Sequence, residues 1–236
     1  MNKALVLSSG GIDSTTCVGI AINQYGKENV STVSFYYGQK HSKELDCANR
    51  IAEYYRLPHY VLDISKILEH SNCSLLSHST EEVADGTYSD QLHDSQSNIV
   101  STYVPFRNGL ILSSAAALAL SIYPEDTVHI YIGAHADDAA GSAYADCSKE
   151  FTDTMAKAVS LGTYNKVIVE APLVEMNKAH VVYTGLMLSV PYYHTWSCYK
   201  GGDNACGKCA TCIDRINAFK ANKTKDPINY EGEIEW

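Results

Sequence analysis

The sequence predicts an α/β protein with a doubly wound, mostly parallel sheet, and three observations carry that prediction. Short apolar runs alternate with stretches of helical periodicity through the first half of the chain. A glycine-rich loop stands between the first run and the first helical stretch, at the sheet end where such folds place ligands. The 236 residues are 45% hydrophobic, enough for one large core. Residues 1–190 read as the α/β domain, and 191–236 as a small segment packed on it.

The elements follow in order. Residues 4–7 are an apolar run that ends in the loop. Cys17, Val18, Ala21, Ile22 and Tyr25 share one face of the helix that follows. Residues 30–36, rich in β-branched and aromatic side chains, give a second strand. Leu45, Ala48, Ile51, Ala52 and Tyr55 mark the next helix, and 59–62 a third strand. From 71 to 100 polar residues dominate and no period persists, which reads as an irregular excursion and lid over the active face. An Ala/Leu-rich helix over 110–122 is expected to be buried on more than one side. Residues 128–132 form a strand, 151–161 a helix, 167–170 a short strand and 179–188 the last core helix.

Composition excludes some classes of function. Acidic residues number 27 against 18 basic ones, for a formal charge of −9, and no basic run appears. Nucleic-acid binders need clustered Lys and Arg to displace counterions from phosphates, so small molecules are the better partners. The opening MNKALVLSSGG lacks the apolar core of a signal peptide. The longest apolar stretch, 110–122, is broken by Ser113, Ser114 and Ser121 and is too short to span a bilayer, which takes ~20 residues. The chain is expected in the cytoplasm.

The loop carries the chemistry. Ser9-Gly10-Gly11-Ile12-Asp13-Ser14-Thr15 puts two glycines where backbone can approach an anion, at the positive end of a helix dipole. Ser9, Ser14 and Thr15 add hydroxyl donors. Asp13 would repel a phosphate directly, and makes sense if it holds Mg²⁺ or a metal-bound water beside it. The Gly-Lys-Ser/Thr ending of a Walker loop is missing.

Of eight cysteines, Cys198, Cys206, Cys209 and Cys212 form a C-x7-C-x2-C-x2-C array. Four thiolates suit one tetrahedral Zn²⁺ with no position left for catalysis. An iron–sulfur cluster is the rival reading, and disulfides the third, disfavoured in a reducing compartment.

The loop resembles the PP-loop of ATP pyrophosphatases. With SFYYGQKHSKEL at 34–45, VPFRN at 104–108, YADCSKEF at 144–151, SLGT at 160–163, APLVEMNKAH at 171–180 and TWSCYKG at 195–201, nearly the whole chain resembles the 7-cyano-7-deazaguanine synthase (QueC) family. The resemblance implies an adenine nucleotide alpha hydrolase-like, Rossmann-type sheet and a C–N bond-forming ligase. That enzyme would adenylate 7-carboxy-7-deazaguanine, form the amide with ammonia and dehydrate it to the nitrile, releasing AMP and pyrophosphate. It also implies a homodimer with one structural zinc on the four cysteines.

Residue roles follow from the match. Ser8, Ser9, Gly10, Gly11, Ile12, Asp13, Ser14, Thr15, Thr16, Cys17 and Val18 are expected to cradle ATP, with Asp13, Ser14, Lys40, Arg107 and Lys178 catalytic. Tyr37, Gln39, Arg107 and Asn108 are expected at the substrate, and Asp137, Asp138, Asp146 and Glu150 at its guanine-like N–H edge, which demands acceptors. One or two of these acids read equally as helix caps, and His135 as a proton shuttle or a structural histidine. Phe106 stands where the family usually has Gly, Ala139 and Ala140 replace an aromatic–Ser pair, Ala145 replaces Pro, and the loop around 141–143 is lengthened. These departures fall on the substrate side and leave open an enzyme that stops at the amide or uses another amine. A tRNA-modifying PP-loop enzyme and a non-catalytic nucleotide-binding module are the competing functions.

Overall fold

A computed structural model describes residues 1–94, 99–139 and 144–236, without the side chains of 92–94, 138 and 139. Five strands, β1 (Asn2–Leu7), β2 (Val30–Tyr36), β3 (His59–Asp63), β4 (Thr127–Tyr131) and β5 (Val167–Glu170), form one parallel sheet in the order β3-β2-β1-β4-β5. The helices are α1 (Ile12–Tyr25), α2 (Lys43–Tyr55), α3 (Tyr88–Asp94), α4 (Arg107–Ile122), α5 (Ala136–Ala139), α6 (Lys149–Gly162), α7 (Lys178–Met187) and α8 (Ala210–Ala221).

The pleat explains why β1 is apolar on both sides. Leu5 and Leu7 enter the core beneath α4 and α6, with Leu112, Ala115, Ala119 and Val159. Ala4 and Val6 enter the opposite core, with Cys17, Val18 and Ala21 of α1, Val181 and Val182 of α7, and Phe219 of α8. Burying each such large side chain contributes roughly 1.5–3 kcal/mol, so a central parallel strand is fixed from both faces. The predicted stripe on the first helix holds in the structure, whereas the Ala/Leu-rich helix, expected to be buried on more than one side, buries one face through Leu112, Ala115, Ala116 and Ala119 and exposes Ser113, Ala117 and Ser121 on the other.

Other expectations change. Helix α4 starts at Arg107, earlier than the predicted 110, because distant Asp146 caps it: Asn108 N donates to Asp146 Oδ2 at 2.9 Å. Phe106, ahead of it, has φ +51°, the left-handed region where glycine costs least, and is held by an edge contact to Phe151 and by its N–H donating to the Tyr103 hydroxyl. Helix α8 follows what was read as the last core helix. Its Arg215 is fully buried and pairs bidentately with Asp226, at 2.6 and 2.9 Å, while Nη1 donates to Thr195 Oγ1. A charged residue at a core position hides the apolar period that would reveal the helix.

The 71–100 excursion, where described, is no detached lid. Cys73, Leu75 and Leu76 are buried in the core, Leu76 bridges to Gln39, and Asp85 bridges to Cys209. No helix among the described residues is long and apolar enough to cross a membrane.

Candidate functional site

The strand order reverses about β1, whose neighbours are β2 and β4. A cavity of ≈ 200 Å³ opens there, at the carboxyl ends of the strands. Its floor is the loop after β1, its sides are the segments after β2 and β4, and its roof comes from α4, α7 and residues 196–199.

The loop is shaped for close approach. Gly10 has φ +81°, and a Cβ there would sit 2.2 Å from the Glu44 carbonyl oxygen. Gly133, arriving from β4, lies so near that a Cβ would meet Ser14 N at 3.0 Å. Gly11 starts α1 with no side chain capping it, which leaves the helix end to a ligand. Ser9 N donates to Ser14 Oγ at 3.1 Å, and the two hydroxyls share a further contact. The Ser8 hydroxyl is buried and has no hydrogen-bond partner among the described residues. An unsatisfied buried donor costs free energy until something accepts from it, and an anion such as a phosphate would supply such acceptors.

Only part of the predicted cradle lines the cavity: Ser8, Ser9, Gly11, Asp13 and Ser14 do. Thr15 is buried and donates to Gly11 O at 2.6 Å, and Thr16 Oγ1 contacts Ile12 O and the Tyr192 hydroxyl. Ile12, Cys17 and Val18 belong to the core. The side chains of these residues face the protein interior rather than the cavity, because the 3.6-residue turn points them away from the helix's exposed end.

Asp13 and Lys178 meet across the cavity. Lys178 Nζ lies 2.7 and 2.6 Å from the two Asp13 oxygens, and His135 Nε2 stands 3.2 Å from the same nitrogen. Burial favours neutral Asp13, but the Lys178 ammonium outweighs it, with help from His135, and holds the carboxyl below its ordinary value. The pair therefore presents a fixed ammonium beside the glycine-rich loop. Asp137, expected at the substrate, accepts from Lys178 N at 2.7 Å and so sets the start of α7.

The opposite wall comes from the β2 side. Arg107 stacks toward the Tyr37 ring, 5.4 Å from its centroid, and points Nη1 at its hydroxyl at 3.5 Å. Burial pushes Tyr37 and Tyr199 upward, so both stay phenols. Glu44, in the first turn of α2, lines the same wall with Trp196 and Leu45. Burial carries its carboxyl from 4.5 up to about 7, against the pull of Arg107. Sequence reading missed Glu44. Its only signal was a place near the start of a helix, after the second strand.

The Glu44 shift has a measurable sign. An acid that ionises less readily folded than unfolded binds an extra proton in the native state between the two values. Glu44's contribution to the stability of the ligand-free protein therefore falls as pH rises from 4.5 to about 7. Arg107, Tyr37 and Cys47 are the ionisable groups coupled to it. Glu44→Gln is expected to flatten that part of the profile in thermal melts, and an identical slope in the variant refutes the effect.

The remaining candidates scatter. Gln39 lines the cavity, but its amide serves its own loop, Oε1 accepting from Tyr37 N at 2.9 Å. Asn108 lines it too, while its Nδ2 donates to Asp146 O and Cys147 Sγ. Asp146 lines a smaller neighbouring cavity shared with Arg107, Cys147 and Tyr199, not the main one. Lys40 is exposed and donates to Glu81 O, and Glu150 is exposed on α6, so neither lines the main cavity. Ala145 is exposed as well. The side chains of Asp138 and Ala139, and all of Ala140 and 141–143, lie outside the described residues.

The four cysteines converge. Their sulfurs all lie within 4.8 Å of one another, and each residue is buried. Tetrahedral Zn–S bonds of ~2.3 Å would set sulfurs ~3.8 Å apart; Cys206 Sγ and Cys212 Sγ stand at 4.0 Å. The amides of Cys206, Lys208 and Cys209 donate to cluster sulfurs at 3.3–3.4 Å, as suits thiolates. The donor set thus fits a closed metal site.

Comparison with known proteins agrees with this geometry. The family model described as queuosine biosynthesis protein QueC matches residues 3–223. The 7-cyano-7-deazaguanine synthase of Caldicellulosiruptor saccharolyticus is 43% identical over 234 residues, covering 99% of this chain and 98% of that one. Its counterpart in Archaeoglobus fulgidus is 41% identical over 227 residues, with 96% and 89% covered. Among solved structures, NMN synthetase from Francisella tularensis matches with a TM-score of 0.50 at 14% identity, over 94% of this chain and 78% of that one, a likeness of fold.

Proposed function

The chain belongs to the queuosine biosynthesis protein QueC family, an enzyme family of the ligase class, and from that premise we propose that it converts 7-carboxy-7-deazaguanine and ammonia into 7-cyano-7-deazaguanine with ATP. The observation that carries this reading is the cavity at the β1/β4 crevice. It joins an uncapped helix start, the unpartnered Ser8 hydroxyl and the Asp13–Lys178 pair.

In the first half-reaction the substrate carboxylate attacks the α-phosphorus, and pyrophosphate leaves. Ammonia then forms a C–N bond as the C–O bond to AMP breaks, giving the amide. A second activation, on the amide oxygen, ends in loss of AMP and of the remaining N–H protons as the nitrile forms. The chain's part is positional and electrostatic. Ser8, Ser9, Gly11 and Ser14 hold the departing phosphates, Lys178 neutralises developing charge, and Arg107 orients a carboxylate or phosphate. Asp13 keeps the Lys178 ammonium in place. Because an ammonium already occupies both Asp13 oxygens, Mg²⁺ is read as accompanying the polyphosphate, where it would screen the phosphate charge.

Cys198, Cys206, Cys209 and Cys212 hold one structural Zn²⁺ in this reading, and 191–236 is the segment that it staples onto the 1–190 unit. The reading extends, with the family, to a homodimer in the cytoplasm. The charge of −9 supports small-molecule substrates without direct nucleic-acid contact.

The purified protein, given ATP, Mg²⁺, ammonium and the acid, is expected to yield the nitrile by mass, with AMP and pyrophosphate. Accumulated amide would identify a shortened reaction. ADP with orthophosphate, or turnover only with tRNA, overturns the proposal.

A further inference from the structure

The family supplies the reaction, but the residue that recognises the base is not fixed by it, and the acids singled out from sequence do not line the main cavity where their side chains are described. Asp137 starts α7, Asp146 caps α4, and Glu150 is exposed. Among the described residues, one acid apart from Asp13, Glu44, lines that cavity. Resting on the function proposed above, the geometry points to the Glu44 carboxylate as the acceptor that reads the paired N1–H and 2-amino donors of the deazaguanine ring.

Three observations support it. Glu44 arises on the β2 side of the crevice, whereas Lys178 and His135 arise from α7 and the β4 side. The Glu44 carbonyl oxygen packs against Gly10, but its carboxyl is pulled by Arg107 and is not among the groups acting on Asp13, so it stands apart from the Asp13–Lys178 pair. Second, no described residue donates a hydrogen bond to Glu44 or stands within ion-pair distance of it, although it is half-buried in the cavity wall. An acceptor-only group left without donors there suits a ligand that brings two. Two parallel N–H groups on one heterocycle edge match the two oxygens of a carboxylate, as a bidentate pair does. Third, Tyr37 and Trp196 line the same wall, giving the base aromatic surface beside the acceptor.

The burial that raises Glu44 toward neutrality fits this role, because donors from a ligand stabilise the ionised form and return it to its ordinary range. Arg107 lies close enough to assist electrostatically.

The test is a split between two Michaelis constants. Glu44→Gln keeps size and one acceptor but places an N–H against the ligand's donors. It is expected to raise KM for 7-carboxy-7-deazaguanine about 10- to 100-fold, with KM for ATP unchanged within about twofold. An analogue lacking the 2-amino group should lose affinity for the parent protein, and lose much less further affinity for the variant. Zinc content and melting temperature confirm that the variant is folded. If KM for ATP rises in parallel, Glu44 faces the adenine and the assignment is wrong; if neither constant moves, it is also wrong. Calorimetric binding of the acid without ATP separates this from the proposed reaction. Weaker binding to the variant upholds the assignment even if no nitrile forms, and equal binding refutes it even if one does.

Discussion

Asp13→Ala is expected to lower AMP and pyrophosphate formation by about 10²- to 10³-fold, the size seen when one preorganised electrostatic group is lost, while zinc content stays at the parent level. The reason is the ammonium it leaves behind. Lys178 Nζ touches both Asp13 oxygens, and both side chains are largely buried. Without the carboxylate, burial lowers the affinity of Lys178 for its proton and nothing fixes its direction. Lys178→Ala removes the same device from the other end, so the double variant should be hardly worse than either single one. Asp13→Asn separates charge from shape, and should remain closer to Asp13→Ala than to the parent. Rapid-quench measurement of AMP in the parent and the four variants checks this. Additive losses, or an Asp13→Ala enzyme within tenfold of the parent, would show that the two residues do not act as a unit.

The second large effect concerns the metal. Cys209→Ala is expected to remove zinc, measured by elemental analysis, and to lower the melting midpoint by about 10–20 °C. That corresponds to about 5 kcal/mol in a chain of this size, well inside the ~10–16 kcal/mol with which such sites bind Zn²⁺. The damage should spread. Trp196, Ala205, Ile228 and Tyr230 pack on the four cysteines, and Gly86 N and Asp85 tie the 71–100 segment to Lys208 and Cys209. Trp196, Ser197, Tyr199 and Thr211 also form one wall of the cavity. Activity should therefore fall with metal content, in the variant and after chelation of the parent. A folded, metal-free and fully active variant contradicts this, and an iron signal with labile sulfide would replace zinc by a cluster.

Much of this could be read from residue order because it is local. A glycine pair, hydroxyls and an acid within seven positions can build a phosphate loop whatever surrounds them, and two C-x2-C steps converge from one short segment. Strands β2 and β5 show their bounds in composition alone. Asp137, Asp146 and Glu150 resisted the same treatment, since an acid's role depends on which amide or ligand comes within 3 Å of it. For Asp146 that amide belongs to residue 108, a distance along the chain that no periodicity reports. Thr15 and Thr16 misled for the opposite reason: they stand in the motif, but the helical turn rotates them into the core.

The sequence alone thus determined the class of sheet, the position of the phosphate loop, the metal-binding cysteines and the family. Each of these is encoded by neighbours in the chain or by a pattern spread over all of it. The tertiary structure decided that Asp13 faces an ammonium, that Glu44 rather than Asp137, Asp146 or Glu150 lines the cavity, and that the cysteine segment forms one of its walls. Those facts are distances between residues brought together by packing on two faces of one sheet, and a carboxylate's chemistry is set by whatever the fold places against it.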